Sequence, residues 1–480
     1  MTAIPHIPAL RLGEWYSSLD ASDLKDLRSG EVLAKLSQVN AGIVKRDLRH
    51  VAENARPLRE MKTSALLEAC GRAADLFLNQ ALPIDGQGTK QSPEDYVSAL
   101  SSTSGLPHVL VRANMDKVAT VFRQMPAILK GLTRGLDLSV LDGGRGVDRG
   151  LPLCYARGAD ALGVVLPSNS PGVNSIWMPA IALKVPVILK PGREEPWTPM
   201  RIVQAFVAAG VPRESFGFYP TDHQGSQAIL QSCGRSLLFG DERTTAPYAG
   251  NPSIQIHGPG RSKVLIGSDE IDRWEQHLDV LVASIASNGG RSCINASAIV
   301  VPARGDEVAR ALAARLADLR ACSLADPEAR LAAFANPAFA DFIDQTIEQG
   351  LAQGGAQDVT AAVRGLPRKV VHEGGTFLLP TIVRCTTFEH PLANTEFLFP
   401  YASVVEIPEE QMLEKIGPSL VVTAITRNAG FRQRLIDTPL ISRLNLGPVP
   451  TSRVEWDQPH EGNLFEFLYL RRAIQTAQGW

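Results

Sequence analysis

One cysteine in this chain has neighbours that suit a nucleophile. Cys293 lies in Ser287-Asn288-Gly289-Gly290-Arg291-Ser292-Cys293-Ile294-Asn295. The apolar periodicity before it predicts a helix that ends near Asn288. The two glycines there permit left-handed or tight backbone. A strand is predicted just after it. A thiol in such a turn can face a cleft, beside backbone N–H groups that favour a thiolate and stabilise an oxyanion. Arg291 adds a positive charge nearby. The competing reading is a Cys buried at the start of a strand, where free cysteines are common.

Two other spots carry groups of the right type. Asn169 sits in Leu166-Pro167-Ser168-Asn169-Ser170-Pro171-Gly172, between a predicted strand and a predicted helix. Its amide can donate to a developing oxyanion, or it can cap the helix. Lys190 ends the run Val185-Pro186-Val187-Ile188-Leu189-Lys190-Pro191-Gly192. An ammonium there can bind a phosphate or a ribose hydroxyl, or simply stay solvated.

These residues must be positioned by an α/β scaffold. From Ala161, short apolar runs alternate with helical stretches. Strands are expected at Leu162–Leu166, Val185–Leu189, Phe216–Tyr219 and Leu237–Phe239. Helices are expected at Val173–Leu183, Ile202–Ala209 and Gln224–Gln231. This pitch predicts βαβ units and a parallel sheet, which binds ligands at the carboxyl ends of its strands. A second α/β region begins near Gly258, with strands near 296–301, 377–383, 402–407 and 421–425. Before Ala161, helices are expected at Glu60–Leu82 and about 114–132. Residues 1–60 give no clear pattern. The stretch Asn463–Ile474 is unusually apolar and is expected to pack against something, a neighbouring subunit included.

Composition narrows the function classes. The chain has 480 residues, 44% of them hydrophobic and 20% charged, which supports a large core rather than disorder. Lys plus Arg is 48 and Asp plus Glu is 50, so no basic excess points to nucleic acid. No apolar run reaches the roughly 18 residues of a membrane span. The six cysteines are scattered and show no metal spacing. Residues 1–20 lack the pattern of a secretory signal. A cytoplasmic location with reduced thiols is the expectation.

Taken together, in this order and spacing, Asn169, Lys190-Pro191 and Gly290-Arg291-Ser292-Cys293 resemble motifs of the aldehyde dehydrogenase superfamily. Thr395-Glu396-Phe397-Leu398-Phe399-Pro400 is similar to that family's Glu-Ile-Phe-Gly-Pro motif. The resemblance runs from about Ala161 to Tyr469. It implies a Rossmann-like cofactor domain and an α/β catalytic domain with the active site between them. The expected division is 1–257, 258–440, and a C-terminal segment 441–480 that carries an oligomerisation strand. It implies Cys293 as nucleophile, Asn169 as oxyanion donor, and Lys190, Glu396, Pro167 and Gly240 near an NAD or NADP cofactor. A homodimer or homotetramer is expected.

The chain departs from the family pattern in three places. Hydrolytic members carry Glu-Leu-Gly-Gly-Lys upstream of the Cys, and here the run is His257-Gly258-Pro259-Gly260-Arg261. Losing that Glu favours transfer of the acyl group to a thiol such as coenzyme A, so the chain resembles acylating members and long-chain acyl-CoA reductases. His257 is itself a candidate acid/base, which keeps hydrolytic oxidation to the carboxylic acid as the alternative. Arg193 replaces a Glu that binds the adenosine ribose, which leans the expectation towards NADP. Gly240-Asp241-Glu242 puts carboxylates where the cofactor's pyrophosphate is expected. These changes also motivate a rival, a non-catalytic binding protein that keeps the fold. Outside the motifs, His223 reads as a helix cap, Trp456 as packing on the catalytic domain, and His460 as a solvated loop histidine.

Overall fold

The alternating apolar runs after Ala161 do form a mostly parallel sheet. The computed structural model describes residues 4–477. The first sheet has seven strands, in the order Ile254–His257, Gly234–Phe239, Ala161–Val165, Val187–Lys190, Phe216–Phe218, Ala9–Arg11, Glu14–Tyr16. The first five run parallel. The last two are antiparallel and close one edge. Ala161–Val165 is buried at every position, as a strand covered on both faces must be. Helices Thr63–Asn79, His108–Arg123 and Trp197–Ala208 share one apolar cluster with it.

The single helix expected at Val173–Leu183 is broken. A 3-10 turn spans Pro171–Ile176 and a short helix spans Pro179–Ala182. Pro179 has no N–H to continue a ladder, so a new helix starts there instead. The stretch expected at 114–132 is likewise two helices, His108–Arg123 and Met125–Leu132, with Pro126 at the second start. Asp222, not His223, caps the His223–Ser232 helix, through a hydrogen bond to Gly225 N at 2.9 Å.

The second sheet also has seven strands, in the order Ala356–Asp358, Thr381–Cys385, Tyr401–Glu406, Ala296–Val301, Ser262–Ile266, Ser419–Ile425, Ile441–Leu446. All its pairs are parallel except the one made by Ala356–Asp358. Ile441–Leu446 is therefore an edge strand of this sheet, and the segment expected as one C-terminal unit is divided. Its last strand, Tyr469–Arg472, pairs antiparallel with Leu151–Arg157 of the same chain. Leu464, Phe465, Leu468 and Tyr469 enter the chain's own core, and Tyr469 Oη donates to Leu183 O at 2.7 Å.

The two sheets are joined by residues 258–261. His257 ends the last strand of the first sheet, and Ser262 opens a central strand of the second. The carboxyl edge of one sheet thus faces the amino edge of the other. Among the described residues, no helix is long and apolar enough to cross a membrane.

Candidate active site

The Cys293 loop is shaped by three left-handed residues in a row. Asn288, Gly289 and Gly290 have φ of 54°, 64° and 70°. Asn tolerates this region and glycine is free in it. Gly290 also needs to be small, because a Cβ there would sit 2.3 Å from Phe399 C. That carbon belongs to the motif that carries Glu396. Gly260 shows the same constraint, since a Cβ there would lie 2.1 Å from Cys293 O. The three motifs are therefore locked against each other by backbone contact. Asn295 clamps the loop from below: its Oδ1 accepts from Ser292 N at 2.9 Å, and its Nδ2 donates to Ser287 O at 3.0 Å.

Asn169 reaches this loop from the first sheet. Its Nδ2 donates to Arg291 O at 2.8 Å, which leaves a second hydrogen on the same nitrogen. The Cys293 backbone N–H makes no hydrogen bond among the described residues. The two expected oxyanion donors therefore stand on the same turn as the half-buried thiol.

Arg291 does not act on that thiol. Its guanidinium donates to Ala333 O at 2.5 Å and lies over the Phe334 ring at 4.9 Å. The cation whose charge reaches Cys293 is Lys117. Nor is the thiol depressed. Burial, Glu461 and Glu396 push it well above its ordinary value, with Lys117 opposing. The expectation of a ready thiolate is corrected here: at neutral pH Cys293 is a thiol that needs a base.

That base was missed in the sequence. Cys293 Sγ donates to Glu461 Oε1 at 3.4 Å. The other carboxylate oxygen, Oε2, pairs with His257 Nδ1. The Glu461 side chain is 9% exposed and that of His257 is 2% exposed. His257 holds Glu461 at about 2, against the burial that would raise it. His257 also stacks on Phe239 at 4.4 Å, and its Nε2 is buried with no partner. Glu461 itself sits at φ 53°, a strained conformation pinned by the Gln255 side chain, which donates to Glu461 O.

His460 is likewise no solvated loop residue. Arg443 donates to its Nδ1 at 2.9 Å, and burial lowers it to about 3, so it is neutral. Arg443 also donates to Arg453 O at 2.6 Å and so ties down the loop that presents Glu461. Trp456 packs against the first sheet's apolar cluster rather than the second's. It lines a cavity beside the thiol together with Lys117, Ile128 and Glu461.

A thiol, an amide donor and a carboxylate–imidazole pair at the junction of two α/β sheets are a constellation for attack on a carbonyl. Residues 86–416 match the aldehyde dehydrogenase family. The chain belongs to that family. An aldehyde dehydrogenase family relative, the N-succinylglutamate 5-semialdehyde dehydrogenase of Vibrio cholerae, is 26% identical over 264 residues, 52% of each chain. The chain spans about half the length of the curated relatives it matches. Solved structures match it throughout. The aldehyde dehydrogenase KauB from Pseudomonas aeruginosa superposes with a TM-score of 0.79 at 17% identity, over 97% of this chain and 96% of that one. The indole-3-acetaldehyde dehydrogenase AldA of P. syringae, in complex with NAD+ and IAA, gives 0.77 at 16% identity, over 98% and 96%. These likenesses establish the α/β aldehyde dehydrogenase fold.

The residues expected near a dinucleotide line the same sheet edge. Lys190 is half-buried at its strand end and makes no hydrogen bond or ion pair among the described residues. Gly192 lies so close to the Pro167 turn that a Cβ would be 2.5 Å from Pro167 O, which joins the two strand-end loops. Glu396 accepts from Arg261 N at 2.7 Å, and its enclosure pushes it up to about 7. Between these ends lie Gly240 and two carboxylates. Asp241 caps its own short helix through Thr244 N at 2.9 Å, and Glu242 pairs with Arg261 at 2.5 Å. Their charge is thus largely satisfied within the chain. The donor set fits a nicotinamide dinucleotide at its two ribose ends. Arg193 is exposed and unpaired. No group of three His, Cys, Asp or Glu among the described residues is placed to hold a metal ion.

Proposed function

We propose that this chain oxidises aldehydes to carboxylic acids, using NAD and a thioester on Cys293. The observation that carries this is Glu461, which touches the Cys293 thiol and the His257 ring at once. The family's usual Glu is absent from position 257, but a carboxylate stands beside the thiol all the same. A base is therefore present for water, and hydrolysis is favoured over transfer to coenzyme A.

Cys293 Sγ forms a bond to the carbonyl carbon as its proton leaves for Glu461. The Glu461–His257 pair takes up that proton as a unit rather than as two independent groups. The carbonyl oxygen becomes an oxyanion, stabilised by the second Asn169 Nδ2 hydrogen and the Cys293 N–H. When bound, the nicotinamide supplies the acceptor for the hydride that leaves the same carbon. The same pair then deprotonates the water that cleaves the thioester, and the thiol is restored. Lys190 and Glu396 are assigned to the two riboses. The NAD+ in the AldA structure supports NAD as the cofactor, with Arg193 as the residue that would favour NADP.

The test is reduced-nicotinamide absorbance with purified protein and an aldehyde panel. NAD and NADP are compared, each with and without coenzyme A. Turnover without coenzyme A is expected, with Cys293→Ser inactive. Turnover only with coenzyme A would replace this reading with acyl-thioester exchange. A chain inert to every aldehyde would favour the non-catalytic rival.

A further inference from the structure

Lys117 is a cation that the chemistry above leaves unused. It lies on the His108–Arg123 helix and lines the cavity next to the thiol, with Ile128, Leu132, Ser175 and Glu461. It is half-buried and makes no hydrogen bond or ion pair among the described residues. Even Glu461, on the same cavity wall, forms its ion pairs with histidines only. One turn back, Asn114 is fixed by a 2.8 Å hydrogen bond to Asn288 in the nucleophile loop. Lys117 Nζ and Asn114 Oδ1 would lie 3.2 and 3.3 Å from a Cβ at Gly172, so both polar tips converge on that wall.

The charges do not balance inside the protein. Lys117 and Arg443 are cationic, and Arg443 is occupied by His460 and Arg453 O. Glu461 is the ionised carboxylate that faces them, and it is committed to His257. An enclosed ammonium without a counter-charge is costly unless a ligand supplies one. Its surroundings say what kind. A lone ammonium offers no bidentate fork for a phosphate, and Ile128, Leu132, Ile176 and Pro179 make the remaining walls apolar. That combination suits a small, singly charged group on a short aliphatic chain.

We propose that the substrate is a short aldehyde with a carboxylate at its far end, and that Lys117 binds that carboxylate. This rests on the aldehyde-oxidising reading above and names its substrate class. The test has a binding arm and a kinetic arm. In the first, glutarate is titrated calorimetrically into wild-type protein, Lys117→Met and Lys117→Arg. Lys117→Met should weaken binding about 10- to 100-fold, the range for one hydrogen bond to a charged group, and Lys117→Arg should recover part of it. In the second, 5-oxopentanoate and pentanal are compared by kcat/KM. Wild type should prefer 5-oxopentanoate, and Lys117→Met should erase the preference through KM while pentanal is unaffected. Equal glutarate affinity in wild type and Lys117→Met would overturn the proposal. So would an equal loss of kcat on both aldehydes, which would mean that Lys117 serves only the thiol. Oxidation of both aldehydes without preference sinks this proposal but leaves the oxidation reading intact. Lys117-dependent glutarate binding in a chain that oxidises nothing does the reverse.

Discussion

Glu461→Gln should separate two properties of Cys293 that usually move together. The carboxylate accepts the thiol hydrogen at 3.4 Å and is one of the groups that push the thiol upward. A unit charge near 4 Å acts with about 4 kcal/mol at an effective dielectric of about 20. His257 and Arg443 offset part of it, which leaves a fall of about two pKa units on neutralisation. The thiolate fraction then rises about 100-fold below the thiol's pKa. Its intrinsic nucleophilicity falls about 6- to 10-fold by the usual Brønsted dependence, so alkylation should accelerate about 10-fold. Steady-state turnover should move the other way, by about 100- to 10,000-fold, because the base for water is gone. Stopped-flow traces should show a burst of reduced nicotinamide followed by a slow steady state. Iodoacetamide labelling followed by peptide mapping reads the thiol. Mapping matters because Cys322 is also half-exposed, whereas Cys70, Cys154, Cys233 and Cys385 are buried. If labelling and turnover both fall, or neither changes, Glu461 is not the base and the reasoning is wrong.

Three other perturbations follow from the structure. Gly260→Ala places a Cβ 2.1 Å from Cys293 O and should displace the nucleophile loop; turnover should drop at least about 100-fold while the far-ultraviolet spectrum is kept. Lys263 is buried, held by Arg261 O at 2.6 Å and Ser419 Oγ at 2.9 Å, and burial lowers it to about 7. Its folded value lies below its unfolded one, so the cost is full below pH 7 and fades as pH rises towards 10.5. Lys263→Met should therefore stabilise by about 1–3 kcal/mol at pH 6.5, read as a higher Tm, and by less at pH 9. Glu195 shows the opposite sign: burial pushes it up to about 8, with Thr198 N as its hydrogen-bond donor at 2.8 Å. Its folded value exceeds its unfolded one, so stability declines as pH rises from about 4.5 to about 8. Glu195→Gln should match wild type at pH 4.5 and melt higher at pH 8.5, by up to about 4 kcal/mol; parallel pH profiles for the two would contradict this.

The sequence made the first-sheet strands after Ala161 and the nucleophile loop readable because those signals are local. Apolar runs, strand-end turns and paired glycines announce themselves within ten residues. Asn169, Lys190, His257, Cys293 and Glu396 all come to the junction of the two sheets. The Ala9–Arg11 and Glu14–Tyr16 strands were illegible because each is three residues long and defined only by a distant partner. Glu461 was hidden for the same reason. It meets Cys293 across 168 positions and sits in a loop that reads as surface. The faint signal was Pro459-His460-Glu461-Gly462, an acid and a histidine just before a glycine, at a place where the backbone turns left-handed. Arg291 was misread because adjacency in sequence does not fix where a long side chain points; its guanidinium runs away from the thiol to Ala333 O. The C-terminal apolar stretch was correctly seen to need a partner, but the core it enters is the chain's own.

The central claim is that water takes the acyl group from Cys293 with the Glu461–His257 pair as base. The direct measurement is turnover of an aldehyde with NAD in 18O-water, without coenzyme A, with the product read by mass spectrometry. The predicted result is a carboxylate carrying one solvent-derived 18O, formed one for one with reduced nicotinamide and lost in Glu461→Gln. A product that forms only when coenzyme A is added, as an acyl thioester without 18O, would contradict it.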